Sequence, residues 1–128
     1  MQKHKYRAYI EEYDEILPVL FIDFVNNAFC VIPTAELEGG NQIEIKDRMN
    51  LLDQFTGKRD NNGKDIYKND IIKTNTGIIG VIDYNSNYAC FIIKTDKNEH
   101  VLYTDEIEII GNKYQNSELL NNKKESLC

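Results

Sequence analysis

Residues 54–72 read QFTGKRDNNGKDIYKNDII and give the clearest indication of fold in the chain. Asn62-Gly63 stands near the middle, and Asn-Gly is the dipeptide that best tolerates the left-handed backbone of a tight hairpin turn. Together with Thr56-Gly57, this pair brackets a polar loop between strand-forming residues. We therefore predict a β-hairpin here, with residues 66–72 following the loop as a strand.

Upstream of this segment, short apolar runs alternate with asparagine-containing turns, which is typical of strands. Residues 5–10 are predicted as a first strand. Residues 19–24 and 28–32 are predicted as a hairpin, with Asn26 and Asn27 at its turn because asparagine accepts positive φ. The connection at residues 34–41 is expected to carry little structure.

Residues 42–55 are ambiguous. Ile43 and Ile45 alternate as in a strand, whereas Met49, Leu52 and Phe55 would share one face of a helix. We favour two strands around a turn at residues 47–50. Downstream, the predicted strands cover residues 78–84, 89–95, 101–103 and 107–110, and a short helix is predicted at residues 117–120.

Short strands joined by tight turns favour a small β-barrel or a sandwich. Residues 1–49 are expected to form a variable lobe of N-terminal strands and a hairpin, and residues 50–120 the barrel with a C-terminal element. Residues 121–128 are expected to be a frayed tail. We predict that the barrel core is filled by alternating apolar side chains, those of Ile66, Ile71, Ile79 and Val81.

The composition excludes one broad class of function. The 128 residues are enough for one domain, and 15 Lys and Arg against 21 Asp and Glu give a net charge of -6. This balance argues against a general DNA-coating protein, which needs surplus cations to displace counterions from phosphates. The sequence has no signal-peptide or membrane-helix pattern, and its cysteines lack paired spacing, so we expect a cytoplasmic protein with reduced thiols.

Residues 54–72 resemble the signature of the YopX-like family of small phage and prophage proteins. Three further pieces occur in that family's order: KYRAY at residues 5–9, GVIDY at 80–84, and EIEIIGN with NSELL between 106 and 120. Residues 11–45 match the family hardly at all. The chain departs from the family's pattern at Arg59, where leucine is usual, at Asn69, where glycine is usual, and at Tyr9, which replaces tryptophan. Asn69 can still adopt positive φ, so the turn is retained.

The resemblance implies a small SH3-like barrel in the C-terminal part of the chain. With the N-terminal hairpin extension and the short C-terminal helix indicated by the residues above, we expect a mainly β fold. The resemblance also implies a phage or prophage origin, and therefore the cytoplasm of a bacterial host cell. It carries over no established activity and no catalytic residues.

Metal-binding and catalytic motifs are weak. His4 and His100 are the only histidines, and neither has a partner at ligand spacing. Asp60, Asn62 and Gly63 imitate the middle of a calcium loop, but aligning Gly63 with the glycine of such a loop puts a lysine at the first ligand position. We expect no metal, no cofactor and no enzymatic activity.

Two charged groups point to binding. Acidic residues are candidates for a protein-binding face that would dock onto a basic channel of another protein; they are Glu11, Glu12, Asp14, Glu15, Asp105, Glu106 and Glu108. Cations interleaved with aromatic rings are candidates for nucleic-acid binding; they are Lys58, Arg59, Lys64, Tyr67 and Lys68. For both groups, ordinary solvated charge is the competing interpretation.

We therefore expect a non-enzymatic phage accessory protein that binds and modulates a host or phage protein complex. A defence nuclease is the most concrete target, which would make the protein a counter-defence inhibitor. The alternative is a small nucleic-acid-binding β-barrel. We expect no membrane contact, and homo-oligomerisation stays open because unpaired strand edges invite pairing.

Overall fold

The computed structural model describes residues 5–36, 39–102 and 106–120. The chain is mainly β and divides into two compact units, Met1–Gln54 and Phe55–Cys128. This division lies a few residues after the boundary expected at residue 49. We call these the N-terminal unit and the C-terminal unit, and each is described by itself.

The N-terminal unit consists of short antiparallel strands connected by tight turns. In one group, β1 pairs with β2 on one side and with the first residues of β6 on the other. In the other group, β4 lies between β3 and β5. The strands are β1 (Tyr6–Ile10), β2 (Glu15–Pro18), β3 (Phe21–Asp23), β4 (Ala28–Val31), β5 (Ile43–Lys46) and the start of β6 (Leu52–Arg59). Short 3-10 turns occur at Glu11–Tyr13, Thr34–Glu36 and Met49–Leu51.

The core of this unit is made by side chains from one face of its strands. Phe29 and Val31 on β4 are fully buried, and Ala8 and Ile10 on β1 are buried in the same cluster. The remaining buried members are Leu17, Val19 and Ile45. The predicted first strand, the predicted hairpin around Asn27 and the strand–turn–strand reading of residues 42–55 are confirmed. A separate strand at Glu15–Pro18 was not predicted.

The C-terminal unit contains a five-stranded antiparallel sheet that is curled into a half-barrel, with strand order β11-β10-β9-β8-β12. The end of β6 pairs with β7, and residues 118–120 begin a short helix. The strands are β7 (Asp65–Tyr67), β8 (Asp70–Thr74), β9 (Ile79–Asn85), β10 (Cys90–Lys94), β11 (Glu99–Val101) and β12 (Ile107–Asn112). The predicted mainly β, barrel-like class with a C-terminal helix is confirmed.

The hairpin of residues 54–72 differs from the prediction in one detail. Thr56-Gly57 does not begin the loop, because β6 continues to Arg59 through a bulge at which Gly57 has a φ of 86°. The turn comes later, where the Asp60 N–H donates to the carbonyl oxygen of Lys64 at 2.8 Å and Gly63 has a φ of 82°. Asn69 has a φ of 71°, as its place in a turn requires. The Asn-Gly turn was therefore predicted correctly, and the strand before it was predicted too short.

The prediction of which face of β9 points into the barrel core was wrong. Ile66 and Ile71 are fully buried as predicted, but Ile79 and Val81 are only half-buried. Gly80 and Ile82 occupy the buried face instead, because the run of apolar residues in β9 offers apolar side chains to both faces of a strand and alternation cannot choose between them. The buried cluster of this unit consists of Ile66, Ile72, Ile82, Ile93, Leu102 and Ile107.

Some predictions fall outside the described residues. These are the acidic candidate Asp105, the end of the strand predicted at residues 101–103, and the tail at residues 121–128. Within the described ranges, no helix is long and apolar enough to cross a membrane.

Candidate functional site

Four acidic residues lie together where β1 turns into β2, and we call them the acidic segment: Glu11, Glu12, Asp14 and Glu15. The pairing of β1 with β2 ends with Ile10 opposite Glu15, so the residues between them must form the hairpin loop. Glu11–Tyr13 make one 3-10 turn, and Asp14 closes the loop with a φ of 50° and an N–H bond to the carbonyl oxygen of Glu11 at 3.1 Å. The loop therefore presents its carboxylates from a defined backbone.

Three of the four carboxylates are held by other parts of the N-terminal unit. Arg48 donates two hydrogen bonds to Glu12, and this contact holds the pKa of Glu12 below its usual range. The Tyr9 hydroxyl donates to Asp14 at 2.8 Å, and this bond raises the pKa of Tyr9. Glu15 accepts the backbone N–H of Thr34 at 3.1 Å. These contacts restrict where the charges can point.

Glu11 differs from its neighbours. Its side chain is exposed, and its carboxylate has no hydrogen bond or ion pair with any of the described residues. Glu11 lines an open cleft of about 530 Å³, together with the Glu12–Arg48 pair. The cleft also receives the side chains of Tyr9, Asn50 and Leu51. A charged acceptor beside an aromatic ring and an apolar side chain is suited to a cationic side chain, whose ammonium or guanidinium group pairs with the carboxylate while its methylene stem packs on the apolar wall.

The second group of acidic candidates lies in the C-terminal unit. Glu106 has a φ of 64°, and its carboxylate accepts a hydrogen bond from the side-chain amide of Asn75. Glu108 is exposed on β12 opposite Lys73 of β8, which offsets its charge. Since the two groups belong to separate units, the acidic segment is treated as a site of its own.

The basic candidates share one hairpin, formed by β6, β7 and the turn that follows, and we call them the basic hairpin. Lys58 and Lys64 are exposed, whereas Arg59 donates to Asp65 at 3.0 Å and Lys68 lies 4.0 Å from Asp83. The ring of Tyr67 is half-buried and lies 5.5 Å from the ring of Phe55, centre to centre, at 44°. The hairpin thus brings the cations together, but carboxylates pair with part of their charge.

Asp60 stabilises a turn, and the sequence analysis did not predict this role. Its side chain is buried, and its two oxygens accept the backbone N–H groups of Asn62, Lys64 and Ile109 at 2.9, 2.9 and 3.0 Å. Burial acts to raise the pKa of Asp60, but these three donors outweigh burial and the pKa lies below its usual value. Both carboxylate oxygens of Asp60 accept backbone N–H groups. The residues that resemble part of a calcium loop therefore form a turn that Asp60 stabilises. No group of three or more metal-ligating side chains occurs among the residues that the structure describes.

The cysteines that could act as nucleophiles lie in apolar strands. Cys30 on β4 is buried, and burial raises the pKa of its thiol, which keeps the thiol protonated and unreactive. Cys90 begins β10 and is half-buried.

Two features of the N-terminal unit were not singled out by sequence reasoning. One is Arg48, which is distant in sequence from the carboxylate that it binds. The other is the pair Phe24 and Val25, whose side chains are 78% and 93% exposed at the turn between β3 and β4. The sequence analysis placed Phe24 in the first strand of the predicted hairpin, so the exposure of this pair was not expected.

Comparison with known proteins gives a family and a fold. The sequence profile of a family described as YopX protein matches residues 5–121, nearly the whole chain. The crystal structure of protein EF1440 from Enterococcus faecalis is similar, with a TM-score of 0.57 and 23% sequence identity over 91% of this chain and 96% of that chain. At this identity the likeness concerns the fold alone. No curated protein matches the chain.

Proposed function

The chain belongs to the YopX family, and we propose that it is a non-enzymatic binding protein that captures a partner protein through the acidic segment. The observation that carries this proposal is the exposed Glu11 carboxylate, which lies in a cleft beside an ordered Glu12–Arg48 pair. Arg48 feels the charge of Glu11, but within the described residues the Glu11 carboxylate makes no hydrogen bond or close ion pair that a lysine or arginine of a partner would have to break.

The ordering of the rest of the segment supports the same function. Arg48, Tyr9 and Thr34 hold the neighbouring carboxylates, so little additional ordering is needed when a partner docks. Fixed charges of one sign raise the association rate with a partner of the opposite sign and set its register. The partner that fits this surface is a protein with an exposed basic patch.

The finer proposal concerns the setting. We propose that the chain is a phage or prophage accessory protein that acts in the host cytoplasm on a host protein complex. A complex with a basic nucleic-acid channel, such as a defence nuclease, is complementary to an acidic protein of net charge -6. On this proposal, the acidic segment occupies part of the channel that phosphates would otherwise enter, and the protein inhibits the nuclease.

A nucleic-acid-binding barrel is the second candidate. The observation that favours it is the exposure of Lys58 and Lys64 in the basic hairpin, near the Phe55–Tyr67 ring pair. The pairing of Arg59 with Asp65 weighs against it, because a paired guanidinium must give up its carboxylate before it binds a phosphate. This candidate requires affinity that falls steeply as salt is added.

The test compares charge variants of the tagged, full-length protein as baits in host lysate. We expect Glu11→Gln to reduce recovery of a protein partner severalfold and Glu11→Arg to reduce it at least tenfold, because reversal places like charges opposite each other. Glu118→Arg is the matched control, since Glu118 is an exposed glutamate of the C-terminal unit. Equal recovery with all three baits would remove the acidic segment as the contact.

A further inference from the structure

The turn between β3 and β4 presents two apolar side chains to solvent. Phe24 and Val25 follow Asp23, the last residue of β3, and are the most exposed large apolar residues among those that the structure describes in the N-terminal unit. We call these two residues the apolar tip. Hairpin turns are normally built from glycine and short polar residues. A single exposed apolar residue is common on a protein surface, but the fold does not require two adjacent exposed apolar residues at this turn.

The backbone of the tip is held by side chains on both flanks. The Asp23 carboxylate accepts the backbone N–H groups of Val25 and Asn26, each at 3.1 Å, and the side-chain amide of Asn26 at 2.7 Å. These bonds hold the pKa of Asp23 below its usual value, so the carboxylate stays ionised. On the other flank, Asn27 has a φ of 55° and donates from its side chain to Asp47 at 3.0 Å. Phe24 and Val25 are therefore displayed in a preorganised turn, which lowers the entropic cost of binding.

The tip and the acidic segment are connected through two consecutive residues. Asp47 donates its N–H to the carbonyl oxygen of Asn27 at 2.9 Å and accepts the Asn27 side chain. Arg48, the next residue, binds the carboxylate of Glu12. Asp47 and Arg48 therefore link the turn that carries the apolar tip to the loop that carries the acidic segment.

The negative charge around the apolar tip favours one kind of binding partner over the others. Asp23 and Asp47 accept these hydrogen bonds from neutral amide groups, so both flanks keep a negative charge. An anionic lipid surface would be repelled by these carboxylates, and so would a second copy of a chain that itself carries a net charge of -6. A protein pocket that is apolar inside and basic at its rim is attracted.

We propose that Phe24 and Val25 are the anchor with which the chain inserts into such a pocket of its partner protein. This inference rests on the proposed function, and it adds the kind of pocket that the partner presents. The acidic segment and the two flanking aspartates would pair with lysine or arginine side chains at the pocket rim, while the aromatic ring of Phe24 fills the pocket. Central apolar anchors surrounded by charged contacts are the usual arrangement of tight interfaces.

The test uses a photo-cross-linker, benzoylphenylalanine, placed in the full-length chain at one of three positions. These positions are that of Phe24, that of Tyr13, a 40% exposed aromatic residue between Glu12 and Asp14 of the acidic segment, and that of Tyr88, a 77% exposed aromatic residue of the C-terminal unit that serves as the control. The chain is irradiated in an extract of the bacterium that carries its gene, and the cross-linked peptides are mapped by mass spectrometry. We expect the first two positions to label one protein, and the position of Phe24 to label an apolar peptide bordered by lysine or arginine.

Competition shows whether the contact is apolar. An excess of unlabelled wild-type chain should suppress the adduct at the position of Phe24, and Val25→Ser should need at least a tenfold higher concentration. Tyr88→Ser should compete as well as wild type. Circular dichroism of both competitors checks that they are folded, which the exposure of both side chains leads us to expect.

The contrary outcomes separate the two proposals. An adduct at Tyr13 without one at Phe24 would leave the proposed function standing and overturn the anchor. Equal competition by Val25→Ser, equal labelling from Tyr88, or an adduct with lipid or with a second copy of the chain would also overturn the anchor. An adduct at neither Tyr13 nor Phe24 would contradict the proposed function, and the anchor with it.

Discussion

Arg48 binds Glu12 through two parallel hydrogen bonds, Nη1 to Oε1 at 3.2 Å and Nη2 to Oε2 at 2.9 Å. The two residues are 36 positions apart in sequence, so the pair joins the loop after β1 to the connection before β6. Both side chains are about half exposed, and such pairs contribute little to stability. The pair matters for orientation, because it fixes one carboxylate beside the exposed Glu11.

The first prediction concerns the Glu12 carboxyl group. Arg48→Ala should raise the pKa of Glu12 back towards its usual value, since the two hydrogen bonds from Arg48 are the largest cause of the lowering. Titration of the glutamate carboxyl carbons by NMR measures this pKa. Arg59→Ala, which removes an exposed arginine paired with Asp65 in the other unit, is the control and should leave Glu12 unchanged. An unchanged pKa in Arg48→Ala would show that the pair does not persist in solution.

The second prediction concerns the turn anchored by Asp60. Asp60→Ala should destabilise the protein by about 3 kcal/mol, because it leaves three backbone N–H groups without their charged acceptor. Asp60→Asn keeps one acceptor oxygen and should cost about half as much. Urea unfolding at pH 7 measures both, with Glu108→Gln, an exposed change on β12, as a control of near-zero effect. A loss below about 1 kcal/mol in Asp60→Ala would be too small for a carboxylate with these three bonds.

The third prediction is the pH dependence that follows from the same group. The pKa of Asp60 in the folded chain lies below its usual value of 3.8, so the folded state binds fewer protons than the unfolded state in this range. The stability that Asp60 contributes is therefore complete above pH 3.8 and is lost as the pH falls through the lowered pKa.

Urea midpoints between pH 7 and pH 2 test the sign. We expect the wild-type chain to lose more stability below pH 4 than Asp60→Asn does, because the variant has no carboxyl group to protonate at this position. Parallel curves for the two proteins would mean that protonation of Asp60 does not contribute to acid unfolding.

The fourth prediction concerns the close approach of β9 and β10. A Cβ atom at Gly80 would lie 2.8 Å from Cγ2 of Ile93 and 2.9 Å from the carbonyl oxygen of Lys94. Gly80→Ala should therefore cost about 1–3 kcal/mol, the usual range for overpacking a core. Gly63→Ala is the comparison, since a Cβ there meets open space and only the positive φ of 82° opposes it, which costs about 1 kcal/mol. Equal thermal stability of Gly80→Ala and wild type would contradict this packing.

Much of the fold could be predicted because turn chemistry is local. The hairpins at Asn27 and Gly63 and the turn at Asn69 were each indicated by residues that accept positive φ, and each has it. The face of β9 was not predictable, since Ile79 and Ile82 are both apolar and alternation needs a polar face for contrast. The face of β9 that carries Gly80 points into the core, where Gly80 packs closely against Ile93. This contact depends on the pairing of β9 with β10, which the sequence of β9 alone does not specify.

The candidate site was predictable only in part, because several of its contacts join residues that are far apart in the sequence. The run of charges at residues 11–15 was visible as a cluster, but its partner Arg48 is brought to it by the fold. The turn bonds of Asp60 to Asn62 and Lys64 are local, whereas its bond to the N–H of Ile109 spans 49 residues. Exposure of Phe24 and Val25 could not be read from a segment in which other apolar residues, such as Phe29, are fully buried.

The central claim is that the chain binds a protein through its acidic N-terminal unit. The most direct measurement is an affinity pull-down of the tagged chain from host lysate, with and without nuclease digestion, quantified by mass spectrometry. We expect a protein partner to be recovered in near-stoichiometric amount in both samples, and to be lost with the Glu11→Arg bait but not with Glu118→Arg. Recovery that collapses on nuclease digestion would contradict the claim and favour nucleic-acid binding by the basic hairpin.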